Sequence, residues 1–131
     1  MQIRTVIVSA GLCLALANVA SAGLKQTQPV SVDLVNRVAS GALGAARNSP
    51  DNRQVIGCGV EYDAVNRKNN VNCSATDAAG KTGQCATQQA ELIQIALGIN
   101  GDSVVQFFWD AKGSCTNIVV INSSMQDPKQ P

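Results

Sequence analysis

Gln54-Val55-Ile56-Gly57-Cys58-Gly59-Val60-Glu61-Tyr62 decides how the chain is read. Its period is two: Ile56, Cys58, Val60 and Tyr62 fall on one side, Gly57, Gly59 and Glu61 on the other. Such alternation marks a strand with one buried face. A polar loop from Asp63 to Asn69 follows. The alternation then resumes, with Val71, Cys73 and Ala75 set against Asn70, Asn72, Ser74 and Thr76. Two runs of this kind predict neighbouring strands whose outer face is polar and uncharged. Asp77-Ala78-Ala79-Gly80 has the composition of a type I turn closed by a left-handed glycine, and a short strand reaches Cys85.

Beyond Cys85 the period changes. Ala90, Ile93 and Leu97, with Leu92 and Ala96 beside them, predict a helix over Gln88 to Leu97, with Thr87 as N-cap and Gly98 just past its end. Val104 to Trp109 and Ile118 to Ile121 are nearly continuous apolar runs, read as strands. Between them, Asp110-Ala111-Lys112-Gly113 repeats the turn composition of residue 77, again followed by a cysteine. Upstream, Val32 to Arg47 fits two patterns. Val35, Val38, Ala42 and Ala46 suit a helical face, but Gly41 and Gly44 each cost ~1 kcal/mol in a helix. A strand over Val38–Arg47 is preferred. The expected fold is α+β: one antiparallel sheet of five or six strands with a single packed helix.

The first 22 residues predict export. Arg4 precedes an uncharged, mostly apolar run from Val6 to Ala20, and Ala20-Ser21-Ala22 supplies the small residues of a cleavage site. The run is shorter than the ~20 apolar residues of a spanning helix. Cys13 lies inside it, not at its end, which argues against lipidation. Residues 1–22 are expected to leave as a signal peptide. Residues 23–131 then form one exported domain, with a flexible leader at 23–31 and a frayed tail at 123–131, secreted or periplasmic.

The full chain carries 10 Lys+Arg, 9 Asp+Glu and no His. Loss of Arg4 balances the charges. A neutral chain without a basic excess argues against phosphate-backbone binding, so no nucleic acid is expected, nor insertion into a membrane after cleavage. Loss of Cys13 from five cysteines leaves Cys58, Cys73, Cys85 and Cys115. An even count in an oxidising compartment reads as two disulfides rather than a zinc site, so neither metal nor cofactor is expected. Cys58 with Cys73 and Cys85 with Cys115 is the preferred pairing. Cys73 with Cys85 is equally symmetrical, about Ala79, and spacing does not choose between them. Four aromatics remain, with Phe107-Phe108-Trp109 as the one cluster, read as core on both sides of a central strand, the sharper alternative being one ring, Phe108 or Trp109, at the surface as a binding platform.

Without His, the Ser–His, Cys–His and His–metal arrangements are absent. A two-carboxylate hydrolase would have to draw on Glu61, Asp63, Asp102 and Asp110. Each of these also has a plain place on a strand exterior, in a loop or at a turn. Gly80-Lys81-Thr82 lacks the glycine and the strand–helix setting of a phosphate loop. The favoured reading is a non-enzymatic binding module for an unknown protein or carbohydrate. Its expected contact surface is Arg67, Lys68, Asn70, Asn72 and Ser74. The alternative is a secreted inhibitor presenting the Asp63–Asn69 loop.

Ala46-Arg47-Asn48-Ser49, Ile56-Gly57-Cys58, Asn72-Cys73-Ser74-Ala75 and Gly101-Asp102-Ser103, with Asp110-Ala111-x-Gly113-x-Cys115 and Asn122-Ser123-Ser124, extend over most of the mature chain. In these motifs the chain resembles an uncharacterised family of small exported bacterial proteins that contain cysteines. The resemblance implies secretion and a shared small fold. It carries no activity.

Overall fold

The structure is a computed structural model that describes residues 23–126 and residue 128. The expected signal peptide, with Cys13 and the cleavage site, lies outside the described residues, as do 127 and 129–131 of the expected tail. In chain order the elements are β1 (Ser31–Asp33), β2 (Val38–Ala42), α1 (Leu43–Asn48), β3 (Val55–Asp63), β4 (Lys68–Thr76), β5 (Thr82–Thr87), α2 (Ala90–Ala96), β6 (Val104–Trp109) and β7 (Cys115–Ile121).

The deciding stretch forms the hairpin that its alternation predicts, but its expected buried face holds only at Ile56 and Cys58, for Val60 and Tyr62 are exposed. β3 and β4 pair antiparallel without interruption from Val55↔Thr76 to Asp63↔Lys68. β5 continues the sheet on the other side of β4. Val71, Cys73 and Ala75 are buried, while Asn72 and Ser74 are exposed. The turns at Gly80 and Gly113 have φ of 84° and 81°, where a residue with a Cβ is disfavoured.

The expected single sheet of five or six strands is corrected. Among the described residues there are two sheets, β1-β2-β6-β7 and β3-β4-β5, seven strands in all, with two helices. The division falls at Leu43. The expected strand over Val38–Arg47 holds only to Ala42. There β2 takes β6 as its neighbour, about sixty residues downstream, and the chain turns into α1. The run Leu43-Gly44-Ala45-Ala46 favours that turn, because alanine has the best helix propensity and the small side chains let the helix sit close. Gly44, Ala45 and Ala46 are buried. The Leu43 N–H donates to the Ser103 carbonyl at 3.0 Å, and the Ser49 hydroxyl donates to the Ala46 carbonyl at 2.9 Å, securing both ends. In the folded chain β1 and β6 occupy the two edges of β2, so β3 pairs with β4 in a second sheet.

α2 is shorter than the expected Gln88–Leu97. Thr87 stays in β5, and its hydroxyl accepts the Gln89 N–H at 3.2 Å; the cap position falls to Gln89, two residues later. Leu92, Ile93 and Ala96 face inward, while Leu97 is 60% exposed. Phe107, Ile118, Val71 and Val105 are fully buried and join both sheets in one core. Burying each contributes about 1.5–3 kcal/mol. The stretch read as a leader makes contacts of its own. Gln26 N–H donates to the Met125 carbonyl, Gln28 accepts from Ala42, and the buried Val30 donates to Gln54 Oε1. Among the described residues no helix is long and apolar enough to cross a membrane.

Candidate functional site

Both preferred disulfides are present, Cys58–Cys73 across β3 and β4 and Cys85–Cys115 from β5 to β7. The first lies within one sheet and the second ties the two sheets together. The alternative pair is also close at hand, because Cys73 and Cys85 are register partners across β4 and β5. The Sγ atoms of Cys73, Cys85 and Cys115 lie within 4.8 Å of one another. In this state the sulfurs are committed to disulfides rather than available as thiolate ligands.

The outer face of β3-β4-β5 follows from the same register. Asn72 lies between Gly59 and Ala86, and Ser74 between Gly57 and Gln84. A Cβ added at Gly57 or Gly59 would meet nothing within 4 Å, so the floor beside Asn72 and Ser74 is open. Glu61 Oε1 accepts from the side-chain amides of Asn70 at 3.2 Å and Asn72 at 3.3 Å, which orients both amides. At the other edge the β6–β7 turn overhangs β5. Asp110 Oδ1 accepts the N–H groups of Lys112 at 2.8 Å and Ser114 at 2.9 Å, and Ala86 N–H donates to the Gly113 carbonyl at 3.1 Å. The result is a shallow groove of about 390 Å³, lined by Asn72, Ser74, Gln84, Ala86 and Lys112 among others.

The five expected contact residues do not form one cluster. Asn72 and Ser74 line the groove. Asn70 is half-buried on the same face. Lys68 lies at the far end of β4, beside Asn69, Gln88 and Gln94, in a separate hollow of about 310 Å³ against α2. Arg67 is exposed at the hairpin tip with φ of 54°. Lys112 came from a turn read only as a turn. A second signal was also overlooked: Asp-x-Val-Asn-Arg occurs at residues 33–37 and again at 63–67. Both copies fold alike. The leading Asp accepts two backbone N–H groups and the Asn side-chain amide, and the Arg has positive φ.

Those hydrogen bonds set the state of the carboxylates. The Asn66 side chain first, then its backbone N–H, holds Asp63 below the usual carboxylate range. The Ser114 and Lys112 N–H groups do the same for Asp110. Each is thereby favoured as an anion that closes a turn, the opposite of the raised value a general acid needs. Glu61 is engaged with two amides, and Asp102 is exposed, with its own N–H donated to Asn100 Oδ1 at 2.9 Å. Of the aromatics, Phe107 is buried and Trp109 stacks obliquely beside it, ring centroids 5.7 Å apart. Trp109 also covers Gly83, while Phe108 is half-buried on the opposite face.

These features define a small domain of two antiparallel sheets with two helices, linked by a disulfide between the sheets. No family model, curated protein or solved structure matches the chain.

Proposed function

We propose that the chain is an exported, non-enzymatic binding module, and that the groove over the outer face of β3-β4-β5 receives a carbohydrate chain. The observation that carries this is the groove's make-up. Amide and hydroxyl groups at Asn72, Ser74 and Gln84 stand beside the side-chain-free positions Gly57 and Gly59, with Lys112 as the one cation at the rim. A sugar ring presents hydroxyls that pair with amides and a flat face that can lie on bare backbone. The Asn72 amide, already oriented by Glu61, loses little freedom on binding. Export rests on the N-terminal sequence.

The test is binding to an array of neutral and acidic polysaccharides, followed by Asn72→Ala/Ser74→Ala. Loss of two pairing groups should weaken binding by at least about tenfold, or ~1.4 kcal/mol, with the melting temperature unchanged. Equal binding by the double variant removes this groove as the site.

A second reading, a protein antagonist, has its own observation. Val65 is 92% exposed at the β3–β4 tip, which Asp63 and Asn66 fix in place. A rigid tip with an apolar apex suits insertion into a partner. Arg67→Ala/Lys68→Ala should weaken capture of such a partner without loss of stability, since loop side chains in water usually count for under about 0.5 kcal/mol.

A further inference from the structure

The four cysteines stand in one line across the molecule. Cys58 faces Cys73, Cys73 faces Cys85, and Cys85 is bonded to Cys115 in the other sheet. Cys58 and Cys73 have Cα atoms 4.0 Å apart, which marks the closely spaced, non-hydrogen-bonded kind of antiparallel pair. The N–H and C=O of Cys73 therefore turn toward β5. That makes Cys73 and Cys85 the hydrogen-bonded kind of pair, roughly 5.5 Å between Cα atoms, inside the span a disulfide bridges. The Cys73 sulfur also lies within 4.8 Å of both sulfurs of the second disulfide. Exposure differs along the line. Cys73, Cys85 and Cys115 are 1%, 5% and 1% exposed, whereas Cys58, on the edge strand, is only partly buried.

We infer that the line is a thiol–disulfide relay: a small external thiol attacks at Cys58, and the exchange passes inward to release Cys115 and unlink the two sheets. The thiolate of the external thiol attacks Cys58 Sγ, forming a mixed disulfide there and breaking the bond to Cys73. The Cys73 thiolate leaves into the core and attacks Cys85 Sγ. The Cys73–Cys85 bond forms, the Cys85–Cys115 bond breaks, and the Cys115 thiolate takes a proton from solvent. One thiol is consumed and one appears, so there is no net oxidation. The released bond is the one disulfide between the sheets among the described residues. A modification at the surface strand is thereby converted into a loosened sheet-to-sheet junction, beside the groove that Cys73 and Cys85 help to line. The relay does not depend on what the groove binds.

The test exposes the oxidised protein to limiting reduced glutathione, quenches with acid, alkylates free thiols and maps the peptides without reduction. The expected products are glutathione on Cys58, a Cys73–Cys85 link and an alkylated Cys115. Alkylation at Cys73 with Cys85–Cys115 intact overturns the relay. So does a first attack at Cys85 or Cys115, or a Cys73–Cys115 link. The variant Cys58→Ser starts the same step without added thiol and should show label on Cys115 and a Cys73–Cys85 link. Label confined to Cys73 in that variant overturns it as well. Should Cys58→Ser fail to fold, the glutathione arm decides alone.

Discussion

The edge of the Trp109 indole abuts Gly83, so a Cβ built on Gly83 would sit 2.6 Å from Cη2. Gly83 is buried in β5 and Trp109 belongs to β6, so this contact packs one sheet on the other. Gly83→Ala must push the ring aside, and Phe107 stacked beside it resists the move. Overpacking of a filled core costs about 1–3 kcal/mol. A stability lowered by that amount, read as a lower denaturant midpoint, is expected together with altered Trp109 fluorescence. An unchanged midpoint would mean that the ring has room to swing. Gly41 offers a harsher comparison, because the nearest atom to its added Cβ is the Val30 backbone Cα at 2.9 Å. Backbone yields less readily than a ring edge, so Gly41→Ala should lower the midpoint further than Gly83→Ala does.

At the scale of elements, the turns are closed by aspartates. Asp33 accepts from the Asn36 backbone and side chain, Asp51 from the Gln54 side chain and backbone, Asp63 from Asn66, and Asp110 from Ser114 and Lys112. Each is held below its ordinary value. A depressed carboxyl contributes stability that is present above its unfolded value, about 3.9, and is lost as pH falls through the folded value. The melting temperature should therefore hold steady down to about pH 5 and fall below about pH 4. Asp63→Ala should be less stable than the parent at neutral pH, with the gap closing in acid as the parent's own carboxylate is protonated. A gap that stays constant across the titration would show that Asp63 acts through packing rather than charge.

These local devices were largely legible. Period two in Val55–Thr76 gave the hairpin with its inward Cys58 and Cys73, and Asp-Ala-x-Gly gave both glycine turns. Partner choice was not, because pairing β2 with β6 depends on contacts far apart in sequence, and a pattern of alternation specifies faces, not neighbours. Gly41 to Ala46 misled for a related reason: small residues suit a close-packed strand and a close-packed helix equally, and tertiary contact decides. The groove was half legible. Asn72 and Ser74 could be placed on an outer face by alternation, but Lys112 reaches it only because a turn from the other sheet folds over β5.

The whole molecule depends on how two modest sheets stay together, and the two disulfides do unequal work in this. Cys58–Cys73 closes a 15-residue separation inside a hairpin that nine register pairs already hold. Cys85–Cys115 closes a 30-residue separation and joins strands in different sheets. The chain-entropy relation assigns about 3 kcal/mol to the first and about 3.6 kcal/mol to the second. That is a large share of the ~5–15 kcal/mol by which domains are normally stable. Local exchange should separate the two more sharply than total stability does. With Cys85→Ala/Cys115→Ala, the corner where Ala86 N–H meets the Gly113 carbonyl loses its covalent clamp. Its amide should exchange far faster, while exchange at the amides of the β3–β4 ladder should quicken only as much as the lost global stability requires. Cys58→Ala/Cys73→Ala should leave the Ala86 amide protected relative to its own global unfolding. If both double variants relax the Ala86 corner equally, the junction is held by the shared core around Phe107 and Ile118, and the inter-sheet disulfide is not what joins the halves.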